Sequence, residues 1–217
     1  MNVKIKICGI TRLQDALDAC DLGADLLGFN FIPESKRYIN PYTAREIIAS
    51  LPPFVMSVGV FADEEPGIVN DMTRFLNLDA VQLHGKESPS YCTRINMPVI
   101  KAMRVGSEKD LEEVERFDVP ALLLDSRVEG VLGGSGKTFS WHLASELCDV
   151  KRVFVAGGIT PDNVALAVQT LSPFGVDTAS GVEIEPGIKD RDLMKKFMVV
   201  ARQAAAQNGG KCSDSKD

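Results

Sequence analysis

Eight times along this chain a short apolar run gives way to a helical pattern, and that repeat limits the possible folds more than any other feature. The runs are VKIKICG from Val3, LLGFNF from Leu26, MSVGVF from Met56, AVQLHG from Ala80, PVIKAMRV from Pro98, ALLLDS from Ala121, VFVAGG from Val153 and VDTASGV from Val176. Helical periodicity follows over 12–23, 42–51, 65–76, 88–95, 108–116 and 140–147, with Thr11 as an expected N-cap and Gly23 as a C-cap signal for the first helix. Short apolar strands alternating with helices imply a parallel sheet covered by helices. Eight such units in a chain of 217 residues fit a closed (β/α)8 barrel, an α/β TIM barrel in a single domain, rather than an open sheet of five or six strands.

Composition agrees. Apolar residues make up 45%, enough for one core. No break divides the chain before residue 208, so the barrel is expected over 1–207, with NGGKCSDSKD at 208–217 as a flexible tail. No apolar run approaches a membrane span, and MNVKIKICGI lacks the long apolar stretch of a signal peptide, so a soluble, cytoplasmic protein is expected. A net charge of -6 argues against a nucleic-acid partner. The five cysteines include no C-x-x-C pair. Cys20, Cys92 and Cys148 fall in helical runs and read as small buried hydrophobes, whereas Cys8 ends a strand. Two separated histidines without H-E-x-x-H give no reason to expect a metal, and His142 beside Trp141 reads as structural.

In a barrel of this kind the active site lies at the C-terminal strand ends and in the loops after them. The last two ends, VAGGIT and TASGVEIEPG, carry small residues where backbone amides can approach an anion, so Gly157, Gly158, Ser180 and Gly181 are the expected phosphate cradle. GVLGGSGKTF after strand 6 resembles a P-loop only superficially, because Val131 stands where the motif needs glycine. It is expected instead to close over a ligand, with Gly133, Gly134 and Gly136 as pivots and Lys137 near an anion.

Cys8 and Asp125 are the candidate base and acid, the alternatives being that Cys8 is packing and Asp125 the N-cap-like start of a loop. Alternation in strand 1 puts Val3, Ile5 and Ile7 toward the helices and Lys4, Lys6 and Cys8 inward; Asp125 shares a face with Leu123 and Ala121. A thiol beside an inward ammonium is a competent base, and a carboxyl beneath a dry loop a competent acid. His84, ending strand 4, could polarise a carbonyl or contact substrate, or simply be structural.

KICGIT at 6–11, SKRYI at 35–39, VGVF at 58–61, VQLHG at 81–85, LLLDS at 122–126, GGSGKTF at 133–139, AGGI at 156–159 and SGVE at 180–183 together resemble the phosphoribosylanthranilate isomerase family of tryptophan biosynthesis. The resemblance runs over residues 3–203, departing at Thr178-Ala179, where family members more often have Val-Ser. It implies a cofactor-free and metal-free Amadori rearrangement of N-(5-phosphoribosyl)anthranilate to 1-(2-carboxyphenylamino)-1-deoxyribulose 5-phosphate. The family's acid falls on Asp125, its base on Cys8 and its anthranilate-holding arginine on Arg37; Asp177 is a candidate for a sugar hydroxyl. The implied partner is a small phosphorylated substrate, and the implied assembly a monomer or a homodimer. Three alternatives remain: the sister sugar isomerase of histidine biosynthesis, disfavoured by cysteine at position 8; indole-3-glycerol-phosphate synthase, which calls for an N-terminal extension; and a catalytically silent phosphate-binding barrel.

Overall fold

The computed structural model describes residues 3–104, 108–125 and 141–210. Its elements run β1 Lys4–Cys8, α1 Leu13–Asp21, β2 Leu26–Asn30, α2 Pro41–Ala49, β3 Met56–Phe61, α3 Pro66–Leu76, β4 Ala80–Leu83, α4 Pro89–Cys92, β5 Val99–Met103, α5 Glu108–Glu115, β6 Ala121–Asp125, α6 Trp141–Val150, β7 Val153–Ala156, α7 Val164–Leu171 and β8 Gly175–Thr178. A 3₁₀ turn at Ser180–Val182, a small hairpin of β9 Glu183–Glu185 and β10 Ile188–Lys189, and α8 Arg191–Gly210 complete the described residues. The eight strands are parallel, each pairs with the next, and β8 returns to β1, closing the barrel.

The period-2 alternation separates two cores. Ile5, Ile7, Leu27, Val81, Leu122 and Val155 point outward and pack with Ala16, Val69, Val164 and Phe197 from the helices. Leu26, Val58, Ala80, Ile100, Ala121, Leu123 and Phe154 fill the barrel's interior. Each fully buried aliphatic side chain stabilises by about 1.5–3 kcal/mol, so neither face can be given up, and a one-residue slip of any strand would exchange them. At the N-terminal end Asp25 accepts from the Ile5 amide at 2.9 Å and Asp79 from the Ser57 amide at 2.7 Å, so carboxylates bind neighbouring strands there.

Local differences from the sequence reading have physical causes. Gly23, at φ +93, closes α1: its amide bonds the Cys20 carbonyl and the Ala24 amide bonds Ala19, a Schellman termination. Thr11 does not cap α1; its hydroxyl donates to the Gly187 carbonyl, and Arg12 is the cap residue. α4 is one turn, starting at Ser88, whose side chain accepts from the Tyr91 amide. β8 ends at Thr178, because Ala179 turns to ψ -76 and the chain tightens into the 3₁₀ turn rather than continuing extended through Ser180. α8 runs to Gly210, three residues beyond Gln207.

Candidate active site

A cavity of about 370 Å³ opens at the C-terminal strand ends and brings together Cys8, Arg37, His84, Asp125, Gly157, Gly158, Asp177 and Ser180. Gly181 stands just behind it, in the 3₁₀ turn. A second cavity of about 630 Å³ shares His84 and Asp125 and extends the mouth over β4 and β5. Gly133, Gly134, Gly136 and Lys137 lie outside the described residues, as does Cys212.

Cys8 ends β1, two residues beyond Lys6 on the same inward face. The Lys6 side chain is 0% exposed; its ammonium donates to Asp177 Oδ1 at 2.8 Å and contacts the Cys8 thiol. Burial alone would lower the Lys6 pKa, but Asp177 and Cys8 outweigh it and the ammonium is held well above its ordinary range. Gly28 on β2 makes the space: a Cβ there would lie 2.7 Å from Cys8 Sγ and 3.0 Å from Lys6 Nζ. Asp177 thus reaches the cavity with one oxygen already committed to Lys6. Cys92 is buried; Cys20 and Cys148 are only half-buried, less than expected, yet burial and a neighbouring aspartate push their thiols up to about 11 and about 12.

Arg37 is delivered by a stapled loop after β2. Asn30 accepts from the Ile32 amide and donates to Ser35, whose hydroxyl accepts from the Arg37 amide at 3.1 Å. The guanidinium meets Glu183, with Nε–Oε1 at 2.8 Å and Nη2–Oε2 at 2.6 Å. His84 sits with Nδ1 2.9 Å from Gln82 Nε2 and Nε2 3.5 Å from Asp125 Oδ2. Its loop is braced by the buried pair of Lys101 and Glu87, 2.9 Å apart, whose other carboxylate oxygen accepts from the amides of Asp63 and Gly85.

The glycine ends form a concave backbone. Gly157 and Gly158 take φ +84 and +74, conformations that side chains disfavour, and Asn163 holds the turn by donating to the Gly158 carbonyl. Among the described residues, no acceptor bonds the N–H groups of Gly158, Ser180 or Gly181. A Cβ on Gly181 would fall 2.2 Å from the Ile159 carbonyl oxygen, so only glycine lets the two loops close on each other. Free amides of this kind suit an anion. Among the described residues no group of three His, Cys, Asp or Glu side chains is placed to hold a metal ion.

Sequence reasoning did not single out Glu183 or Lys189. Glu183 stood inside the SGVE motif, but the partner that gives it meaning is 146 positions away. Lys189 holds the Cys8 carbonyl across 181 positions.

Fold and mouth together define a class: a (β/α)8-barrel enzyme with a cysteine and an aspartate at its strand ends beside a glycine-rich turn. The family profile of N-(5'phosphoribosyl)anthranilate (PRA) isomerase matches residues 5–200. A relative from Trichlorobacter lovleyi, N-(5'-phosphoribosyl)anthranilate isomerase, is 47% identical over 203 residues, 93% of this chain and 99% of its own. The crystal structure of phosphoribosyl anthranilate isomerase from Thermotoga maritima aligns with a TM-score of 0.85 at 46% identity, covering 93% of this chain and 99% of that one. A crystal structure of a phosphoribosyl anthranilate isomerase in complex with reduced 1-(o-carboxyphenylamino)-1-deoxyribulose 5-phosphate aligns with a TM-score of 0.82 at 43% identity, covering 93% of this chain and 99% of that one. Mutually generated monomers of the dimeric T. maritima enzyme align at 0.82 and 42% identity, with the same coverage. The chain belongs to the N-(5'phosphoribosyl)anthranilate isomerase family.

Proposed function

We propose that this chain converts N-(5-phosphoribosyl)anthranilate to 1-(2-carboxyphenylamino)-1-deoxyribulose 5-phosphate, with Asp125 as general acid and Cys8 as general base. The observation that carries these roles is that Cys8, on β1, and Asp125, on β6, line one cavity together with Gly157, Gly158 and Ser180 of the glycine cradle. The Asp125 carboxyl gives a proton to the furanose ring oxygen as the C1–O bond breaks, leaving a Schiff base. The Cys8 thiolate takes the proton from C2, and its electron pair moves into the C1–C2 bond to form an enolamine. Tautomerisation, with protonation at C1, yields the ketone. Only protons and electron pairs within the substrate move, so the scheme calls on no external electron carrier.

The other roles follow from position. The Gly157, Gly158, Ser180 and Gly181 backbone holds the phosphate through amides and the end of the 3₁₀ turn. His84 steadies Asp125, Asp177 offers its second oxygen to a sugar hydroxyl, and Arg37 takes the anthranilate carboxylate. Each general acid or base contributes about 10²- to 10⁴-fold. Cys8→Ala and Asp125→Ala are therefore expected to lose at least about a hundredfold in kcat while keeping the wild-type circular dichroism, followed by the loss of substrate fluorescence. Near-normal kcat in either folded variant refutes that residue's role.

We extend the reading to assembly and place. At the N-terminal end of the barrel Phe54 is 99% exposed at φ +75, beside an apolar cavity of about 230 Å³ lined by Leu26, Met56, Ile100, Phe154 and Phe174. A bare aromatic next to an apolar cavity is the mark of an interface, and two copies joined through this face bury both. Sedimentation is expected to show a dimer that Phe54→Asp converts to a monomer; a monomeric wild type overturns the assignment. No helix among the described residues is long and apolar enough to cross a membrane, and the proposed place of work is the cytoplasm.

A further inference from the structure

We propose that Glu183 is a positioning residue that selects which edge of the Arg37 guanidinium faces the substrate, and thereby makes the site demand an anionic aryl arm. This rests on the reading of Arg37 as the carboxylate-holding group.

A guanidinium has five N–H donors arranged on two usable edges, a side edge of Nε and Nη2 and an end edge of Nη1 and Nη2. Glu183 occupies the side edge completely, with Oε1 on Nε and Oε2 on Nη2. What remains for the cavity is the end edge, still able to grip a carboxylate with two bonds. An arginine free to rotate would present either edge and lose side-chain freedom on binding; this one has lost it already.

Glu183 is itself held by further bonds. Its side chain is 4% exposed, and its Oε1 accepts from Lys189 Nζ at 2.8 Å and from the Gly187 amide at 3.2 Å. Lys189, buried completely at its side chain, spends its other donors on the Cys8 carbonyl at 2.6 Å and the Ala179 carbonyl at 3.2 Å. The hairpin that carries both residues therefore spans the end of β1, the residue before the phosphate turn and the loop after β2. Gly9, at φ +76, keeps the passage clear, since a Cβ there would lie 2.5 Å from Arg37 Cδ.

The charge count points the same way. While Cys8 is a neutral thiol, two cations, Arg37 and Lys189, share one carboxylate, so the cluster carries one positive charge beyond what Glu183 neutralises. It is carried by the end edge, in a half-buried position where a substrate carboxylate completes the balance. A substrate whose aryl arm is neutral leaves that charge unmatched, which is the structural basis for rejecting it.

The experiment compares Arg37→Ala, Glu183→Gln, Glu183→Asp and the double variant Arg37→Ala/Glu183→Gln, each verified as folded by circular dichroism. The readouts are KM, kcat and competitive inhibition by two probes, anthranilate for the aryl end and inorganic phosphate for the other. Loss of one charge-assisted hydrogen-bond geometry is worth about tenfold. Glu183→Gln is expected to raise KM and the anthranilate inhibition constant by about tenfold, leave the phosphate constant within about twofold, and add nothing in the Arg37→Ala background. Glu183→Asp should recover part of the loss, and it carries the test if Glu183→Gln does not fold. Equal weakening of both probes, or full additivity in the double variant, overturns the positioning role. If Arg37→Ala itself leaves KM unchanged, the reading of Arg37 has failed, and the proposal with it.

Discussion

Asp177→Asn removes the counter-charge from an ammonium that has no access to water, and the consequence can be worked from the geometry. Lys6 is 0% exposed and its one carboxylate partner lies at 2.8 Å. Breaking one half of a buried ion pair costs about 3–5 kcal/mol, because the surviving charge is left desolvated and unpaired. In a domain of this size each kcal/mol lowers Tm by about 2–4 °C, so a fall of about 6–20 °C is expected at pH 7 in a thermal melt followed by circular dichroism. The Lys6 value is raised in the fold above its ordinary 10.5, so the stabilisation linked to Lys6 is present at pH 7 and is lost as pH rises through the folded value. Neutralising both partners, as Lys6→Met with Asp177→Leu, removes the stranded charge and should recover most of the loss. That double variant should nevertheless be nearly inactive, since the ammonium beside Cys8 is gone. An Asp177→Asn protein melting within about 2 °C of wild type, or a double variant no more stable than the single one, would refute this account of the pair.

Other outcomes follow from the same geometry. Gly181→Ala places a Cβ against the Ile159 carbonyl and must part the two loops of the cradle, so inhibition by inorganic phosphate should weaken at least about tenfold; unchanged inhibition removes those loops from phosphate binding. Burial would raise the Glu183 carboxyl, but hydrogen bonds from Arg37 and Lys189 hold it below its ordinary 4.5. A depressed folded value stabilises above the unfolded one and is lost as pH falls, so the Tm advantage of wild type over Glu183→Gln should be full at pH 6 to 7 and shrink below about pH 4.5; an advantage that grows on acidification contradicts it.

The strands were legible because an inside and an outside impose a period of two, and Cys8 and Asp125 followed because each ends its strand on the inward face. Where the sequence reading went astray, the cause was local geometry that pattern does not encode. A tight turn at Ala179 cut β8 short, and a hydroxyl that looked like a helix cap bonded a distant carbonyl instead. The charged cluster behind the mouth was illegible for a different reason. Alternation says that Lys6 points inward but not what it meets. That partner is set by barrel closure, which places Lys6 directly opposite Asp177 in the β1–β8 register, 171 positions along the chain. The same holds for Arg37 and Glu183. Cys8 and Asp125 sit on strand ends and can be read one at a time, whereas the ion pairs around the mouth exist only once the first strand has met the last.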